Sequence, residues 1–402
     1  MNIRKILPAL LLILPFLKPD AVQKESILDY MYQFGAIVSF LIVLIAYLFF
    51  IKKVSIMLAL IVAYRLWLFV PSVLFNNDIY RCARDFLFVI GACAIAEMIM
   101  KKDFTVYCRS ILIPLITFSV VNTITVFMYP EGMYFVESEY GYYWSWFLGH
   151  YNAHIIFMLP AIYFSLLLSH FRKNKRGLNV LILLIISAMT VFITWSATSI
   201  ISIVMIAVFI FIIYAYPNSR IFNILNYSII TVAAILAIIV FRLQENFSYI
   251  IEDLLNRSVT FTGRTILWDR YIYEIGNNPI IGYGVGTADK LYKTVGYQGH
   301  GHNYYINLMY QGGLVALALF VIMIFLAGKK LYIRRSNQFS NILSYLLLVF
   351  FITAISEVYN EIFIYQLFLM GYHIENIIKQ QRDYMLVEDR SMPIEGNSIL
   401  KR

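Results

Sequence analysis

The feature that most constrains this chain is a succession of apolar runs, each about as long as a bilayer core is thick. A membrane-spanning helix needs about 20 mainly apolar residues. With 61% hydrophobic and only 14% charged residues, the chain lacks the polar surface of a soluble domain. We predict an all-α polytopic membrane protein with about twelve transmembrane helices, at residues 6–22, 31–51, 54–74, 86–100, 110–129, 150–170, 178–194, 198–216, 221–241, 304–327, 341–356 and 362–378.

The distribution of Lys and Arg predicts the orientation of these spans. If the segments between spans alternate from a cytoplasmic N-terminus, most of the 32 Lys and Arg residues fall in inner segments, in agreement with the positive-inside rule. Both termini are therefore predicted to be cytoplasmic. The same distribution explains the net charge of +9 by attraction to anionic inner-leaflet lipids, and it indicates no nucleic-acid partner.

The longest connection between predicted spans is residues 242–303, which we name the outer loop. Loops longer than about 12–15 residues are uncommon unless they are functional. Apolar residues at helical spacing predict two short amphipathic helices in this loop, one around 247–255 and one from Arg264. We divide the chain into an N-terminal transmembrane bundle of about nine helices (1–241), an extracytoplasmic catalytic loop (242–303), C-terminal transmembrane helices (304–378) and a cytoplasmic tail (379–402).

The outer loop carries residues suited to a phosphorylated lipid substrate. Arginines such as Arg264 and Arg270 can bind pyrophosphate oxygens and stay charged at any pH. Gly284 and Gly286 would allow backbone N–H groups to approach a phosphate or a sugar. The alternative for the glycines is a tight turn. These four residues are candidate substrate ligands.

Histidines add candidate acid–base groups. His302 and Asn303 open a predicted span, with His300 just before them. Histidine titrates near neutrality and can serve as acid or base, and the alternative is an interfacial or capping role. His150 and His154 have the i, i+4 spacing of a metal pair, but no third ligand follows at a recognised spacing. We predict structural roles for these two and no metal site.

Charged residues at the edge or the interior of other spans are further candidates. Arg65 lies in the middle of a predicted span, where an arginine is costly and is expected to face a polar interior. Arg81 and Arg84 lie one turn apart just outside the membrane and are candidate phosphate ligands or members of a surface ion-pair cluster. Glu357 and Glu361 are predicted to share one helical face at an outer helix junction, where Glu357 is a candidate general base or arginine partner.

An acidic and aromatic segment, residues 130–149, is also predicted on the outer side. It contains no Lys or Arg. Its tyrosines and tryptophans are predicted to stack on sugar rings or, as the alternative, to form an interfacial aromatic belt.

Three motifs of the sequence, in order, resemble those of the O-antigen ligase and polysaccharide polymerase family of bacterial envelope membranes. They are Arg and Trp on a loop helix, a Pro-Ile-x-Gly-x-Gly turn, and His-Asn opening a span with Gly in its second turn. The matching runs are GRTILWDRYIYEIGNNPIIGYGVG and HGHNYYINLMYQGGLVALALF, and the detailed likeness covers residues 263–321.

One departure from the family pattern precedes the predicted eighth span. The family often has Ser-Arg-small there, whereas this chain has Thr194-Trp195-Ser196-Ala197-Thr198-Ser199, without the arginine. A second phosphate ligand then comes from elsewhere, with Arg65, Arg81 and Arg84 as the candidates, or the substrate is held differently.

The resemblance implies a membrane-embedded glycosyltransferase that uses no nucleotide sugar, no metal and no other cofactor. Such enzymes move a glycan from undecaprenyl pyrophosphate onto an acceptor at the outer face of the membrane. Carried over to this chain, Arg264 would contact the donor pyrophosphate, and His302 would orient or deprotonate the acceptor hydroxyl.

We predict a polymerase of lipid-linked repeat units in the bacterial cytoplasmic membrane, acting in O-antigen, capsule or exopolysaccharide synthesis. An O-antigen ligase, which would use a lipid-core acceptor, is the alternative within the family. A lipid-linked oligosaccharide flippase is the alternative from another class, although the paired halves of many transporters are not evident in the sequence. The predicted partners are the lipid-linked oligosaccharide, membrane lipids, and flippase and chain-length regulator proteins.

Overall fold

The computed structural model describes residues 3–138, 141–172, 177–216, 221–243, 264–358 and 361–391. The predicted short helix at 247–255 lies outside these residues. The α-helices are α1 Ile3–Ile13, α2 Ser26–Ile45, α3 Ile56–Trp67, α4 Phe69–Leu74, α5 Ile79–Lys102, α6 Phe104–Met128, α7 His154–Phe171, α8 Leu178–Thr194, α9 Ala197–Ala215, α10 Ile224–Ile235, α11 Arg264–Asn277, α12 Ala288–Val295, α13 Tyr304–Ile333, α14 Gln338–Thr353, α15 Glu361–Tyr372 and α16 Ile374–Ser391.

The helices agree with the predicted all-α, multi-pass class. Five described segments are long and apolar enough to cross a membrane: Ser26–Ile51, Ile56–Leu74, Phe104–Met128, His154–Phe171 and Tyr304–Ile333. Four shorter apolar helices accompany them, Leu178–Thr194, Ala197–Ile213, Ile224–Val240 and Gln338–Thr353. The count of twelve spans and the orientation of the termini stay predictions.

Helices α14 and α15 form the centre of the bundle. Nearly every residue of both helices is buried, and α15 packs against α13, α5 and α14. A helix that is apolar on all sides is covered by other helices rather than by water. The connection between α14 and α15 is therefore attached to the most enclosed part of the molecule.

The β-strands are an exception to the all-α prediction. Strands β1 Tyr134–Ser138 and β2 Gly141–Ser145 form an antiparallel hairpin between α6 and α7, inside the aromatic segment 130–149. Trp146 Nε1 donates to the Tyr129 carbonyl at 2.7 Å, and Leu148 N–H donates to Asn122 Oδ1 at 2.8 Å. Both bonds fix the hairpin to the outer end of α6.

The turn Pro279–Gly284, which we name the glycine turn, inserts into a break in α13. Gly313 has φ +62° and ψ −158°, so the helix cannot close its own hydrogen bonds there. The Tyr310 and Gln311 carbonyls accept instead from Tyr283 N–H (2.7 Å) and Gly284 N–H (2.8 Å). On the other side of the break, N–H groups of α13 donate to the Pro279 and Ile280 carbonyls. Two motifs of the sequence, the Gly-x-Gly turn and the later Gly-Gly pair, are thus two halves of one contact.

The substitution Gly284→Ala is expected to destabilise the protein by about 2–5 kcal/mol, since a left-handed backbone disfavours a side chain and the site has no space for one. Gly284 has φ +82°, and an added Cβ would lie 2.4 Å from Ser72 N. The thermal midpoint of the detergent-solubilised protein measures the effect. Gly276→Ala is the control, because a Cβ there meets nothing within 4 Å. Equal midpoints for the two variants would contradict the packing role of Gly284.

Candidate active site

The three residues predicted to be catalytic come together at one end of the bundle. Arg264 is the first residue of α11, His302 precedes α13, and Glu357 lies in the connection after α14. Arg264 Nη2 lies 3.5 Å from Glu357 Oε2, and His302 Nδ1 lies 3.5 Å from Glu357 Oε1. One carboxylate therefore faces both a guanidinium and an imidazole. Glu357 is buried, whereas the side chains of Arg264 and His302 are partly exposed, so a substrate can reach them.

Three successive carbonyls before Glu357 each accept a hydrogen bond from a different donor. The Ala354 carbonyl accepts from Tyr304 N–H at 2.9 Å, and the Ile355 carbonyl accepts from Asn303 Nδ2 at 2.8 Å. The Ser356 carbonyl accepts from Arg264 Nη1. These bonds hold the backbone that carries Glu357 against the start of α13, which carries His302.

Asn303 uses both ends of its side chain in this arrangement. Its Oδ1 accepts from Ile306 N–H at 3.0 Å and caps α13, while its Nδ2 holds Ile355. The side chain is fully buried. The structure therefore places Asn303 as a support of the site rather than at its open face.

The prediction that Glu357 and Glu361 share a helical face is wrong. Helix α14 ends at Thr353, α15 begins at Glu361, and Glu357 lies in the connection between them. Glu361 forms an ion pair with Arg65 and accepts a hydrogen bond from Tyr365 Oη at 3.1 Å. The two carboxylates therefore have different arginine partners.

His302 has a left-handed backbone, with φ +48°, which is uncommon for a residue with a side chain. Its N–H donates to His300 Nδ1 at 3.3 Å, and its Nε2 lies 3.0 Å from Tyr297 Oη. A strained conformation of this kind persists where its surroundings determine it. The ring is thus held between Glu357 on one nitrogen and Tyr297 on the other.

Helix α11 holds the segment before His302 in place. Trp268 Nε1 donates to the Gly301 carbonyl at 2.8 Å, and Tyr271 Oη donates to the Gly299 carbonyl at 2.9 Å. Both side chains are buried. The apolar face predicted from Arg264 onward therefore packs against the loop and α13.

The charges around Glu357 favour its ionised form. Burial alone would raise the pKa of this carboxyl, but His302, Arg264 and His300 outweigh burial and lower the pKa below its usual value. Desolvation lowers the pKa of His300 to about 4, with a further contribution from His302. At neutral pH the site therefore holds an anionic Glu357, a cationic Arg264 and a neutral His300.

His150 and Tyr297 belong to the site and were not predicted in it. Desolvation lowers the pKa of His150 to about 4, and Glu357, His302 and Arg264 also act on it, so the ring lies within electrostatic range of these residues. The outer location of the aromatic segment was the one sequence signal for His150. Tyr297, five residues before His302, had none. His154 is fully buried with Nε2 3.2 Å from the Gly149 carbonyl, in keeping with a structural role.

Other candidates lie around the site or away from it. Arg81 and Arg84 are half-exposed beside Asp85, at 3.9 and 3.4 Å, and Arg81 is close enough to influence His300. Arg270 donates to the Val295 carbonyl at the end of α12 at 3.2 Å. Arg65 is buried in its ion pair.

The two glycines predicted to bind substrate pack against the protein itself. The N–H of Gly284 is occupied by Gln311. An added Cβ at Gly286 would lie 3.1 Å from Leu291. Both glycines are therefore in close packing contacts within the protein, and we assign them no substrate contact.

His300, His302 and Glu357 could also hold a metal ion. Their ligand atoms lie within 4.8 Å of one another. Zinc ligands bond at about 2.0–2.2 Å, so the cluster would have to contract around an ion. The Arg264 guanidinium beside the same carboxylate opposes a second cation.

Acidification from pH 6.5 to 4 is expected to lower the thermal midpoint. In this range the unfolded chain protonates His150 and His300, while the folded state keeps both neutral because their pKa values are lowered to about 4. The pKa of Glu357 is lowered in the folded state, so protonation of this carboxyl in the unfolded chain adds to the loss at the acid end of the range. The His150→Gln/His300→Gln variant should show a shallower dependence than the wild type, and Tyr292→Phe on α12 should match the wild type. An unchanged slope in the double variant would contradict this assignment.

Comparison with known proteins identifies a family for part of the chain. Residues 182–321 match the family model described as O-antigen ligase. No curated protein and no solved structure matches the chain. The match confirms the resemblance found in residues 263–321 and supports a function of the O-antigen ligase or polymerase type in general. Arg264, His302 and the glycine turn lie inside the matched range, whereas Arg65, Arg81 and Glu357 lie outside it.

Proposed function

Starting from this family match, we propose that the protein is a polysaccharide polymerase of the bacterial cytoplasmic membrane. It joins undecaprenyl-pyrophosphate-linked oligosaccharide repeat units at the outer face. The observation that carries the proposal is the convergence of Arg264 and His302 on Glu357, within 3.5 Å each. A glycosyl transfer from a pyrophosphate needs a cation for the leaving group and a base for the acceptor, and this arrangement supplies both.

The proposed reaction exchanges one bond at the anomeric carbon of the donor sugar. The acceptor oxygen forms the new bond to this carbon, and the bond to the pyrophosphate oxygen breaks, so that lipid pyrophosphate leaves with the electron pair. His302 Nε2 accepts the acceptor proton in the place where it now meets Tyr297 Oη. Glu357 stabilises the imidazolium that forms.

Arg264 would bind the leaving pyrophosphate through its charge. In the structure it contacts Glu357 and the Ser356 carbonyl, and a pyrophosphate carries more negative charge than either. Arg81 is the proposed second cation, since it is exposed and acts on His300. It would serve in place of the arginine that the family often has before the eighth span.

Polymerase and ligase differ in the acceptor and share this chemistry. We favour the polymerase because of the departure from the family pattern at Ser196-Ala197-Thr198 and because of the acidic, aromatic segment 130–149 beside the site. A ligase with a lipid-core acceptor is the second candidate. The family match gives no support to a flippase.

The test uses purified protein, an undecaprenyl-pyrophosphate-linked repeat unit, no nucleotide sugar, and EDTA. We expect a ladder of lengthened glycans on a gel for the wild type and for Lys293→Ala, an exposed change on α12, and no ladder for His302→Ala. A product formed only after a lipid-core acceptor is added would favour the ligase. If activity were lost in EDTA and restored by zinc, His300, His302 and Glu357 would be identified as a metal site. No product with either acceptor would contradict the proposal.

A further inference from the structure

Three aromatic rings form a partly exposed surface beside the candidate active site. Tyr143 on β2, His150 and Tyr151 lie in or after the hairpin that connects α6 to α7. The ring centroid of His150 is 5.1 Å from that of Tyr143 and 3.7 Å from that of Tyr151. Tyr143 and Tyr151 are each 37% exposed, so the rings are held by one another and remain open to a ligand.

Hydrogen bonds join this surface to the residues around Glu357. Asn152 Oδ1 accepts a hydrogen bond from Ser196 Oγ at 2.8 Å. Ser196 is the residue before α9. Thr198 is the second residue of α9, and its Oγ1 lies 3.1 Å from Ser356 Oγ. The Ser356 carbonyl accepts a hydrogen bond from Arg264 Nη1. The start of α9 therefore lies between the aromatic rings and the carboxylate, and it bonds to both sides.

The two faces of the hairpin have different surroundings. Tyr143 pairs across the strands with Val136, and Phe135 pairs with Trp144, so Tyr143 and Phe135 point to opposite faces. On the Tyr143 face, the Tyr134 hydroxyl bonds to Asp20 at 2.9 Å and the rings approach the site. On the other face, Phe135 and Trp144 stack on each other and stay exposed.

On this basis we propose, resting on the proposed function, that Tyr143, His150 and Tyr151 form the subsite for the acceptor sugar. The apolar face of a pyranose ring packs on aromatic rings, while its hydroxyls remain free to react. Asn152, next to Tyr151, is joined through the start of α9 to Ser356, next to Glu357, and the acceptor sugar carries the proton that His302 accepts. The donor pyrophosphate is assigned to Arg264 and Arg81.

Kinetics with donor and acceptor varied separately test the subsite. The acceptor is a water-soluble short-chain lipid analogue carrying the repeat unit, and the donor is the full-length lipid. Tyr143→Ala is expected to raise the acceptor KM about five- to tenfold and to leave the donor KM unchanged, whereas Tyr143→Phe keeps the ring and should resemble the wild type. Phe135→Ala, on the opposite face of the hairpin, is the matched control.

A binding measurement separates failure of the subsite from failure of the proposed function. Saturation-transfer NMR with the full chain in detergent and the repeat-unit oligosaccharide, released by mild acid, requires no turnover. A signal on sugar protons that Tyr143→Ala abolishes and Phe135→Ala preserves supports the subsite even if no transfer occurs. A missing signal in the wild type, or an undiminished signal in Tyr143→Ala, overturns it. If Tyr143→Ala raises the donor KM alone, the rings bind the donor. If Phe135→Ala has the same effects as Tyr143→Ala, the hairpin attaches to the membrane instead. Either result overturns the proposal.

Discussion

Glu357→Gln is expected to lower kcat of glycan transfer by about two to four orders of magnitude, the range in which acid–base catalysis contributes. The amide keeps the shape of the carboxylate but cannot stabilise a protonated His302, which lies 3.5 Å away. The donor KM should stay constant or fall, because Arg264 loses the anion that competes with pyrophosphate. Initial rates at varied donor concentration separate the two effects.

Glu375→Gln is the control for this experiment. Glu375 on α16 forms an exposed ion pair with Arg334, the residue after α13. The substitution likewise replaces a carboxylate by an amide. Its kinetics should match those of the wild type. A kcat for Glu357→Gln close to that of the wild type would remove Glu357 from the reaction.

Glu361→Ala is expected to reduce the free energy of unfolding by about 3–5 kcal/mol, since it leaves the buried charge of Arg65 without its partner. Arg65 is 8% exposed and lies on α3, in an apolar segment long enough to span the membrane. Arg65→Met/Glu361→Met, which removes both charges, should recover most of this loss, because the desolvation cost disappears with them. Thermal midpoints of Arg65→Met, Glu361→Met and the double variant, measured in one detergent, make a double-mutant cycle.

The exposed pair Arg334–Glu375 provides the matched cycle. Its side chains are 50% and 54% exposed, so the coupling should be about 0–1 kcal/mol. If the two cycles gave the same coupling, Arg65 and Glu361 would not form a desolvated pair.

The local parts of the fold and the site could be predicted from the sequence. Apolar runs gave segments close to α6, α8 and α13, because hydropathy depends on neighbouring residues alone. Arg264 and His302 were candidates because of their side-chain chemistry and because residues 263–321 resemble the family. The helix from Arg264 was predicted from the spacing of apolar residues in the same way.

Contacts between distant residues could not be predicted. The pairing of Arg65 with Glu361 joins positions 296 residues apart, and no local pattern indicates which carboxylate an intramembrane arginine will meet. The Gly-x-Gly turn has the composition of a phosphate loop, but only the break at Gly313 shows that Gly284 donates to another part of the chain. The spacing of His150 and His154 is that of a metal pair, and it does not indicate that Glu357, His302 and Arg264, from three other segments, act on His150.

The insertion of the glycine turn into α13 makes the chain between them a closed ring. Backbone bonds from Tyr283 to Tyr310 and from Gly284 to Gln311 join its two ends, and His302 lies within it. The residues before Arg264 are not part of this ring, and closing a longer loop costs only slowly more entropy. Insertions or deletions ahead of α11 are therefore expected to leave the ring closed. The segment that carries His302 is in this sense closed on itself by backbone bonds, while α11 and the connection that carries Glu357 hold it from outside.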